Sequence, residues 1–387
     1  MLDFSDNVDR LEPSATLAIT ARAKAMQAEG QSVINLSAGE PSFHTPGVAA
    51  AAAASAVAGG PIGYPPTPGL PSLRSAVAAY TNETTSAADA HPGAVVVSAG
   101  VKQVLFNLCY SLFGQGDEVL VPAPYWPSYL AIVHLTRATP TAVPLGWSDD
   151  FRITADLLEA YRTERTKGLL LNSPSNPSGA VISREDLEGV LAWAGEHGIW
   201  VLSDEIYRRL YYGSGTAPSV LDIADRPNHV VALDGMSKAF SMPGWRIGWG
   251  YGPDELIRKA SALQSQTTSG AAVPSQHASA ALLGAPTRET IIEEFRATLD
   301  RRRLASLAAL RDVEGLEVRD QPAALYHYLR LRDGQDSITV AEALLTQGGV
   351  ATIPGDAFGT PGYLRMTYAG ADDELAEGMR RIARFFG

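Results

Sequence analysis

Short, almost continuously apolar segments recur along the middle of the chain and alternate with longer amphipathic stretches. Five of these segments span residues 95–97, 118–121, 168–171, 199–202 and 230–233. Apolar runs of this length are typical of strands that are buried on both faces of a sheet. Because amphipathic stretches separate them, the pattern predicts an α/β fold with a mostly parallel central sheet flanked by helices.

The amphipathic stretches carry their own helix signals. Ser183 is a favourable N-cap, Glu185 and Asp186 suit a first turn, and Gly198 is a typical helix stop, so residues 183–198 are predicted to be helical. An alanine run at residues 49–54 predicts a second helix, because alanine is the best helix former.

The character of the pattern changes near residue 283. An arginine-rich helical segment at residues 296–303 leads there to shorter strands, such as residues 326–329. A chain of 387 residues is also too long for one simple hydrophobic core. We therefore expect a large domain at residues 46–282 and a smaller α+β domain made of residues 1–45 and 283–387.

Composition excludes several classes of function. The formal net charge of −11 argues against nucleic acid as a partner. The sequence contains no run of about 18 apolar residues, so we expect no membrane span. The acidic side chains within residues 1–12 argue against a basic secretory leader, so we expect a cytoplasmic protein. The one cysteine, Cys109, lies in an apolar segment and is expected in the core, and the seven histidines show no metal-ligand spacing.

One lysine stands in a turn of small residues directly after the apolar segment 230–233. Lys238 is followed eight positions later by Arg246. A lysine held against a buried strand end loses its proton more easily and can attack carbonyl groups as a free amine. The arginine supplies a forked, permanent cation that suits a phosphate. Together they predict a pyridoxal phosphate (PLP) enzyme in which Lys238 forms the Schiff base.

Other chemically capable residues also follow strands, where ligands of parallel sheets gather. Asp204 needs a partner if buried, and a protonated pyridine nitrogen would serve, although a helix N-cap is the alternative. Tyr207 could donate to a phenolate oxygen of the cofactor or could simply be packed. Asn176 precedes a proline, which favours an extended backbone and a side chain that points into a cleft, although a plain structural turn is possible.

Three further positions suit the binding of a phosphate, a ring and a carboxylate. Gly100 follows a strand and opens a helix, so the backbone N–H groups there could hold a phosphate together with Arg246. Trp126 could stack on a planar ring or pack under the neighbouring prolines. Arg365 interrupts an apolar strand, which indicates a bidentate anion such as a substrate carboxylate, or alternatively a structural salt bridge.

These motifs resemble the class I aminotransferases of PLP fold type I, and in particular the bacterial aspartate aminotransferase subgroup Ib. The resemblance covers nearly the whole chain. It is carried by the lysine motif at residues 235–248 and by the segments 13–17, 36–41, 64–69, 176–179 and 203–207.

The resemblance implies a role for each candidate residue. Lys238 forms the Schiff base and moves the proton, Asp204 pairs with the pyridine nitrogen, and Asn176 and Tyr207 bind the phenolic oxygen. Trp126 stacks on the ring and borders the substrate. The phosphate is surrounded by Gly100, Val101, Lys102 and Arg246, and by Tyr64 from the neighbouring subunit of a homodimer. The substrate α-carboxylate meets Arg365 with Gly39 and Asn176, whereas Thr16 and Lys102 meet a distal carboxylate. Phosphate and distal carboxylate are competing roles for Lys102, and both stay open.

The resulting prediction is a ping-pong aminotransferase that uses PLP, no metal, an L-amino acid and a 2-oxo acid. The distal-carboxylate residues favour aspartate or glutamate as the donor. The segment 323–328 departs from the Gly-Ala-Phe-Tyr of the subgroup and motivates an alternative on the same fold. That alternative is a specialised PLP enzyme: an aminotransferase for an unusual amino acid, an oxidase or a lyase.

Overall fold

The computed structural model describes residues 5–9, 11, 15–87, 89–226 and 228–387. Four residues used in the sequence analysis lie outside the described residues: the acidic Asp3 and Glu12, and the motif residues Pro13 and Ser14. The α-helices are α1 (Asp6–Asp9), α2 (Ala15–Ala28), α3 (Gly47–Ala58), α4 (Pro71–Thr84), α5 (Val101–Leu112), α6 (Ser128–Leu135), α7 (Ala155–Glu159), α8 (Arg184–His197), α9 (Asp254–Thr267), α10 (Val273–Leu283), α11 (Arg288–Leu310), α12 (Ser337–Thr346) and α13 (Asp372–Phe386).

The strands group into three sheets in the described part of the chain. They are β1 (Ile34–Asn35), β2 (Val95–Ser98), β3 (Glu118–Ala123), β4 (Thr139–Pro144), β5 (Thr166–Asn172), β6 (Trp200–Asp204), β7 (Val230–Gly235), β8 (Gly248–Tyr251), β9 (Leu316–Glu317), β10 (Tyr326–Leu331), β11 (Val350–Ala351), β12 (Ile353–Pro354) and β13 (Tyr363–Thr367). Short 3₁₀ turns lie at Pro92–Ala94, Val220–Asp222, Pro243–Trp245 and Gly355–Phe358.

The central sheet has seven strands in the order β2-β8-β7-β6-β5-β3-β4. The pairs β7/β6, β6/β5, β5/β3 and β3/β4 are parallel, whereas β8 runs antiparallel to both of its neighbours. The predicted α/β fold with a mostly parallel sheet is therefore confirmed. Because β8 is reversed, its first residue lies at the edge where the other six strands end.

Alternate residues of the buried strands pack into different cores on the two faces of the central sheet. In β7, for example, Val231 and Leu233 belong to one core and Val230 and Ala232 to the other. Cys109 is fully buried in the first core, as expected for a small core residue. Burial on both faces explains why the strand sequences are apolar almost without interruption.

Helix α8 begins and ends where the sequence signals place it. Ser183 accepts a hydrogen bond from the backbone N–H of Asp186, and Gly198 takes the left-handed conformation with φ +65°. The helices predicted from the alanine run and the arginine-rich segment are α3 and α11, and the strand at 326–329 is part of β10. All these predictions are confirmed.

The C-terminal part of the chain builds a four-stranded antiparallel sheet with the order β12-β13-β10-β9. Strand β1, from the N-terminal part, pairs with β11 and so joins the C-terminal segment. This pairing agrees with grouping residues 1–45 with residues 283–387, but the domain boundaries themselves stay a prediction.

Two strands of the central sheet carry too weak a sequence signal to be predicted. Strand β4 lies at the sheet edge and contains two prolines, which edge strands tolerate. Strand β8 has two glycines among its four residues, and a Cβ at either glycine would press against helix α5. No helix in the described part of the chain is long and apolar enough to cross a lipid bilayer.

Two glycines of α8 provide a matched test of these boundaries. Gly198→Ala should destabilise the protein by about 1 kcal/mol, because a Cβ is strained at positive φ. Gly189→Ala, in the interior of the same helix, should stabilise it by a similar amount, because alanine favours helix more than glycine does. A Cβ would meet no neighbouring atom at either position, so steric clash does not complicate the comparison. Denaturant midpoints that shift in the same direction for both variants would contradict the assigned helix end.

Candidate active site

The loops that follow five parallel strands of the central sheet, and the segment that precedes β8, converge on one edge of that sheet. They surround a cavity of about 330 Å³. The lining residues include eleven of those predicted from the sequence: Thr16, Gly39, Val101, Lys102, Trp126, Asn176, Asp204, Tyr207, Lys238, Arg246 and, from the C-terminal sheet, Arg365. The reversed direction of β8 is what brings Arg246 to this edge.

Lys238 lies three residues beyond the end of β7, inside the cavity. Its Nζ donates a hydrogen bond to the backbone carbonyl of Gly39 at 2.7 Å. The same Nζ lies 5.8 Å from the centre of the Tyr207 ring. Among the described residues, the amine thus has one hydrogen bond, to a backbone carbonyl, and the Tyr207 ring lies on one side of it.

Asp204 is the last residue of β6 and is only 4% exposed. Its Oδ2 accepts a hydrogen bond from the Tyr129 hydroxyl at 2.8 Å, and its Oδ1 accepts one from the backbone N–H of Ile206 at 3.2 Å. Burial raises the pKa of Asp204 to about 6, although both hydrogen bonds and the charge of Lys238 oppose this rise. A cationic ligand group beside this carboxylate would relieve the cost of its burial.

Gly100 and Arg246 are packed against each other at the start of α5. Gly100 has φ +86°, and a Cβ there would approach Nη2 of Arg246 to 2.7 Å. The guanidinium donates to the backbone carbonyls of Pro243 at 3.0 Å and Ala99 at 3.3 Å. A glycine is thus required for the guanidinium to lie over the helix N-terminus, where a phosphate would be bound by both.

Lys102 adds a second cation beside Arg246. Burial lowers the pKa of Lys102, and the charge of Arg246 lowers it further. Its Nζ lies 4.7 Å from the centre of the Trp126 ring, an attractive cation–π distance. Two cations that repel each other at one side of a cavity suit an anionic ligand.

Arg365, in β13, is 2% exposed and closes the cavity from the C-terminal sheet. Nη1 donates to Oδ1 of Asn176 at 3.0 Å and Nη2 donates to the carbonyl of Ser37 at 2.7 Å. Its buried Nε has no hydrogen-bond partner, and within the described residues it forms no salt bridge. Burial lowers the pKa of Arg365, because it disfavours the charged guanidinium. A bound carboxylate would neutralise this buried charge and accept a hydrogen bond from the free Nε–H.

Hydrogen bonds between loops hold Asn176 and Tyr207 in place. Asn172 accepts from the backbone N–H of Asn176 at 2.7 Å and donates to the carbonyl of Asp204 at 2.9 Å, which fixes the ends of β5 and β6 together. The Tyr207 hydroxyl lies 2.8 Å from that of Tyr326. Both amide and phenol are thus presented to the cavity by fixed loops.

Of the predicted site residues, Gly100 and Tyr64 are not among those that line this cavity. Thr16 lines the cavity, and its buried hydroxyl oxygen has no hydrogen-bond partner among the residues that the structure describes. Tyr64 does not line this cavity and is 99% exposed.

Sequence reasoning missed two tyrosines that contact predicted site residues. Tyr129 binds Asp204 and lies on α6, three residues after Trp126. Tyr326 binds Tyr207 from β10. Trp126 precedes α6, so the spacing of Trp126 and Tyr129 gives no helical signal. The pattern around residue 326 predicts a strand but no pairing with Tyr207.

A larger cavity, of about 410 Å³, lies beside the first and shares Tyr129 and Asn172 with it. Arg152 at this second cavity is already paired with Asp186, with a shortest distance of 2.7 Å. The smaller cavity is the better candidate site because it collects Lys238, the buried carboxylate and the incompletely bound arginine.

The comparisons with known proteins agree on one family. The profile described as aminotransferase class I and II matches residues 31–382. An aspartate aminotransferase of Streptomyces avermitilis is 39% identical, covering 98% of this chain and 95% of its own length. A probable aspartate/prephenate aminotransferase of Aquifex aeolicus is 35% identical over 98% of each chain. The structure of the Thermus thermophilus aspartate aminotransferase with maleate superposes with a TM-score of 0.94, at 34% identity and full coverage of both chains.

The raised pKa of Asp204 predicts how Asp204→Asn changes the ligand-free protein. The folded pKa of about 6 lies above the model-peptide value of 3.8, so stability falls as pH rises from about 4 to about 6 and stays lowered above that. Asp204→Asn should therefore raise the thermal midpoint at pH 8 and lose this advantage near pH 4. An equal effect of the substitution at both pH values would contradict the buried, uncompensated carboxylate.

Proposed function

The chain belongs to the class I and II aminotransferases, and we propose that it binds PLP and takes the amino group from aspartate or glutamate. The observation that carries this proposal is one cavity lined by Lys238, by the buried carboxylate of Asp204 and by the buried guanidinium of Arg365. The full-length relatives named aspartate aminotransferases favour amino-group transfer over the oxidase and lyase alternatives.

The residues present fit PLP at each of its polar groups. Asp204 suits the ring nitrogen because Lys238 is the cation that acts on its buried carboxylate among the described residues, and the two form no salt bridge there. The N-terminus of α5 and Arg246 suit the phosphate, since Gly100 leaves room for the guanidinium. Asn176 and Tyr207 suit the phenolic oxygen, and Trp126 suits the ring face. When bound, PLP supplies an electron sink that stabilises negative charge at the substrate Cα.

The chain's own groups then carry out binding and proton transfer. Arg365 binds the α-carboxylate of the amino acid with its free Nε–H and fixes the substrate in one orientation. Asp204 keeps the ring nitrogen protonated. As a free amine, Lys238 Nζ would accept the proton from the substrate Cα and donate it to C4′ of the cofactor, and it would move a proton in the opposite direction in the second half of the reaction. The ping-pong cycle reuses the same groups for the 2-oxo acid.

Thr16 and Lys102 favour a substrate with a second carboxylate. The buried Thr16 hydroxyl in the cavity wall has no partner within the described part of the chain, and Lys102 is a cation held over Trp126. A distal carboxylate would satisfy both groups, whereas a neutral side chain would leave them unpaired. We assign the phosphate to Arg246 and the helix N-terminus, and the distal carboxylate to Lys102 with Thr16.

We further propose a homodimer with shared active sites. Tyr64 is almost completely exposed, and Val57 and Ile62 nearby are exposed apolar residues. Exposed apolar side chains in one segment are typical of an interaction surface. Tyr64 would then reach the phosphate of the partner's site.

Lys238→Ala tests the proposal directly. The wild-type protein should develop visible absorbance with added PLP, and borohydride should fix the cofactor's mass on the peptide that contains Lys238. The variant should lose both signals and about 10⁴-fold in aspartate turnover, because the base is removed. Lys259→Ala, an exposed lysine on α9, should behave as the wild type. Retention of the absorbance by Lys238→Ala would contradict the assignment.

Lys102→Met and Thr16→Val test the substrate class and separate the two roles of Lys102. If Lys102 binds the distal carboxylate, kcat/KM for aspartate should fall about 100-fold relative to alanine, with an unchanged Kd for PLP, because a charged hydrogen bond is lost. Thr16→Val should act in the same direction but less strongly. A higher Kd for PLP, together with equal falls in kcat/KM for aspartate and for alanine, would assign Lys102 to the phosphate. No turnover of aspartate or glutamate by the wild type would favour a specialised aminotransferase.

A further inference from the structure

Tyr326 lies where three groups of the candidate site meet. Its hydroxyl is 2.8 Å from the Tyr207 hydroxyl. The Arg365 guanidinium lies 4.4 Å from the centre of its ring. A Cβ on Gly39 would collide with the Tyr326 hydroxyl, so this hydroxyl also lies against the backbone that receives Lys238. Tyr326 is only 1% exposed, so it is surrounded by protein and not by solvent.

The hydrogen bond between the two phenols can run in only one direction once Tyr207 acts on a ligand. A phenol has one proton to donate and can accept further hydrogen bonds. If Tyr207 donates its proton to the phenolic oxygen of the cofactor, it has none left for Tyr326. Tyr326 must then donate to Tyr207, which aligns and strengthens the outgoing hydrogen bond of Tyr207.

We propose that Tyr326 is a positioning residue that sets the direction of the Tyr207 hydrogen bond with its hydroxyl and supports Arg365 with its ring. The inference rests on the proposed function and adds a residue to it. The hydroxyl acts at the cofactor end of the site and the ring acts at the carboxylate end. One side chain thus supports both binding functions, and its two parts can be removed separately.

The ring's contribution follows from how Arg365 is held. Tyr326 packs against the guanidinium, which also lies 5.0 Å from the centre of the Phe358 ring. The edges of the guanidinium donate to Asn176 and Ser37, which leaves Nε for a ligand. The aromatic contacts therefore fix the plane of the guanidinium and the hydrogen bonds fix its rotation, so that Nε keeps one direction.

The charged groups around the two phenols stay unchanged when only the hydroxyl is removed. They are Lys238, Asp204 and Arg365. Burial raises the pKa of Tyr207 well above the usual range of a phenol, so Tyr207 keeps its proton. A change caused by Tyr326→Phe can therefore be attributed to the lost hydrogen bond and not to a lost charge.

The decisive measurement is the pH titration of visible absorbance in the PLP-loaded protein. The negative phenolic oxygen is stabilised by the Tyr207 hydrogen bond. When that bond weakens, the neighbouring imine nitrogen holds its proton more tightly. Tyr326→Phe should raise the titration midpoint by about half a pH unit, a fraction of what a full hydrogen bond contributes. KM for the amino donor should change less than about twofold, because the ring remains against Arg365.

Tyr326→Leu removes the ring as well and should raise KM for the amino donor about tenfold beyond the effect of Tyr326→Phe. The matched control is Tyr328→Phe, which removes another buried hydroxyl from the same face of β10. That hydroxyl is bonded to Thr360 and not to Tyr207, so the midpoint should stay at the wild-type value.

An unchanged midpoint in Tyr326→Phe would overturn the inference while leaving the proposed function intact. Equal shifts in Tyr326→Phe and Tyr328→Phe would also overturn it, because the effect would then be a general loss of packing. A wild-type protein that never develops visible absorbance with PLP is a different result, since it overturns the proposed function itself. Thermal midpoints of all variants verify that each one is folded.

Discussion

The structure depends on the cost of burying charge without a full partner. Asp204 and Arg365 lie on different sheets, are both buried and line the same cavity. A cation would stabilise the carboxylate of Asp204, and an anion would stabilise the guanidinium of Arg365, whose Nε has no partner among the described residues. Burying such groups is unfavourable unless they are paired. In the proposed function, a cationic ring nitrogen of the cofactor would remove the first cost and the carboxylate of the amino-acid substrate would remove the second. The cavity therefore favours ligands that supply the opposite charges for these two groups.

Sheet topology explains why these groups can meet at all. The parallel strands bring Asp204, Lys238 and the Asn176 loop to one edge of the central sheet. The one reversed strand, β8, adds Arg246 to that same edge from the opposite chain direction. The C-terminal sheet contributes Arg365 and Tyr326 through adjacent antiparallel strands. Charges of both signs are thereby held on rigid elements, which preserves their geometry when a ligand binds.

The sequence predicted those parts of the site whose chemistry is visible locally. Lys238 follows an apolar strand, Asp204 ends another, and Gly100 opens a helix, so each could be identified from its neighbours. Tyr129 and Tyr326 could not, because their partners Asp204 and Tyr207 lie 75 and 119 positions away in the chain. Strand β8 was missed for a related reason: its glycines are explained by close packing against α5, which only the folded chain reveals. Pairings over such distances are decided by tertiary structure.

The segment around Gly39 connects the two halves of the site. Gly39 accepts from Lys238, and its lack of a side chain makes room for the Tyr326 hydroxyl. Further along, the Ser241 hydroxyl donates to the carbonyl of Phe43, and the Trp245 indole N–H donates to Thr45. One extended segment is thus bound to the Lys238 loop at three points while its first residue touches β10. A substitution at Gly39 would disturb both the amine and the tyrosine pair. The two ends of the cavity therefore depend on the same few residues of backbone.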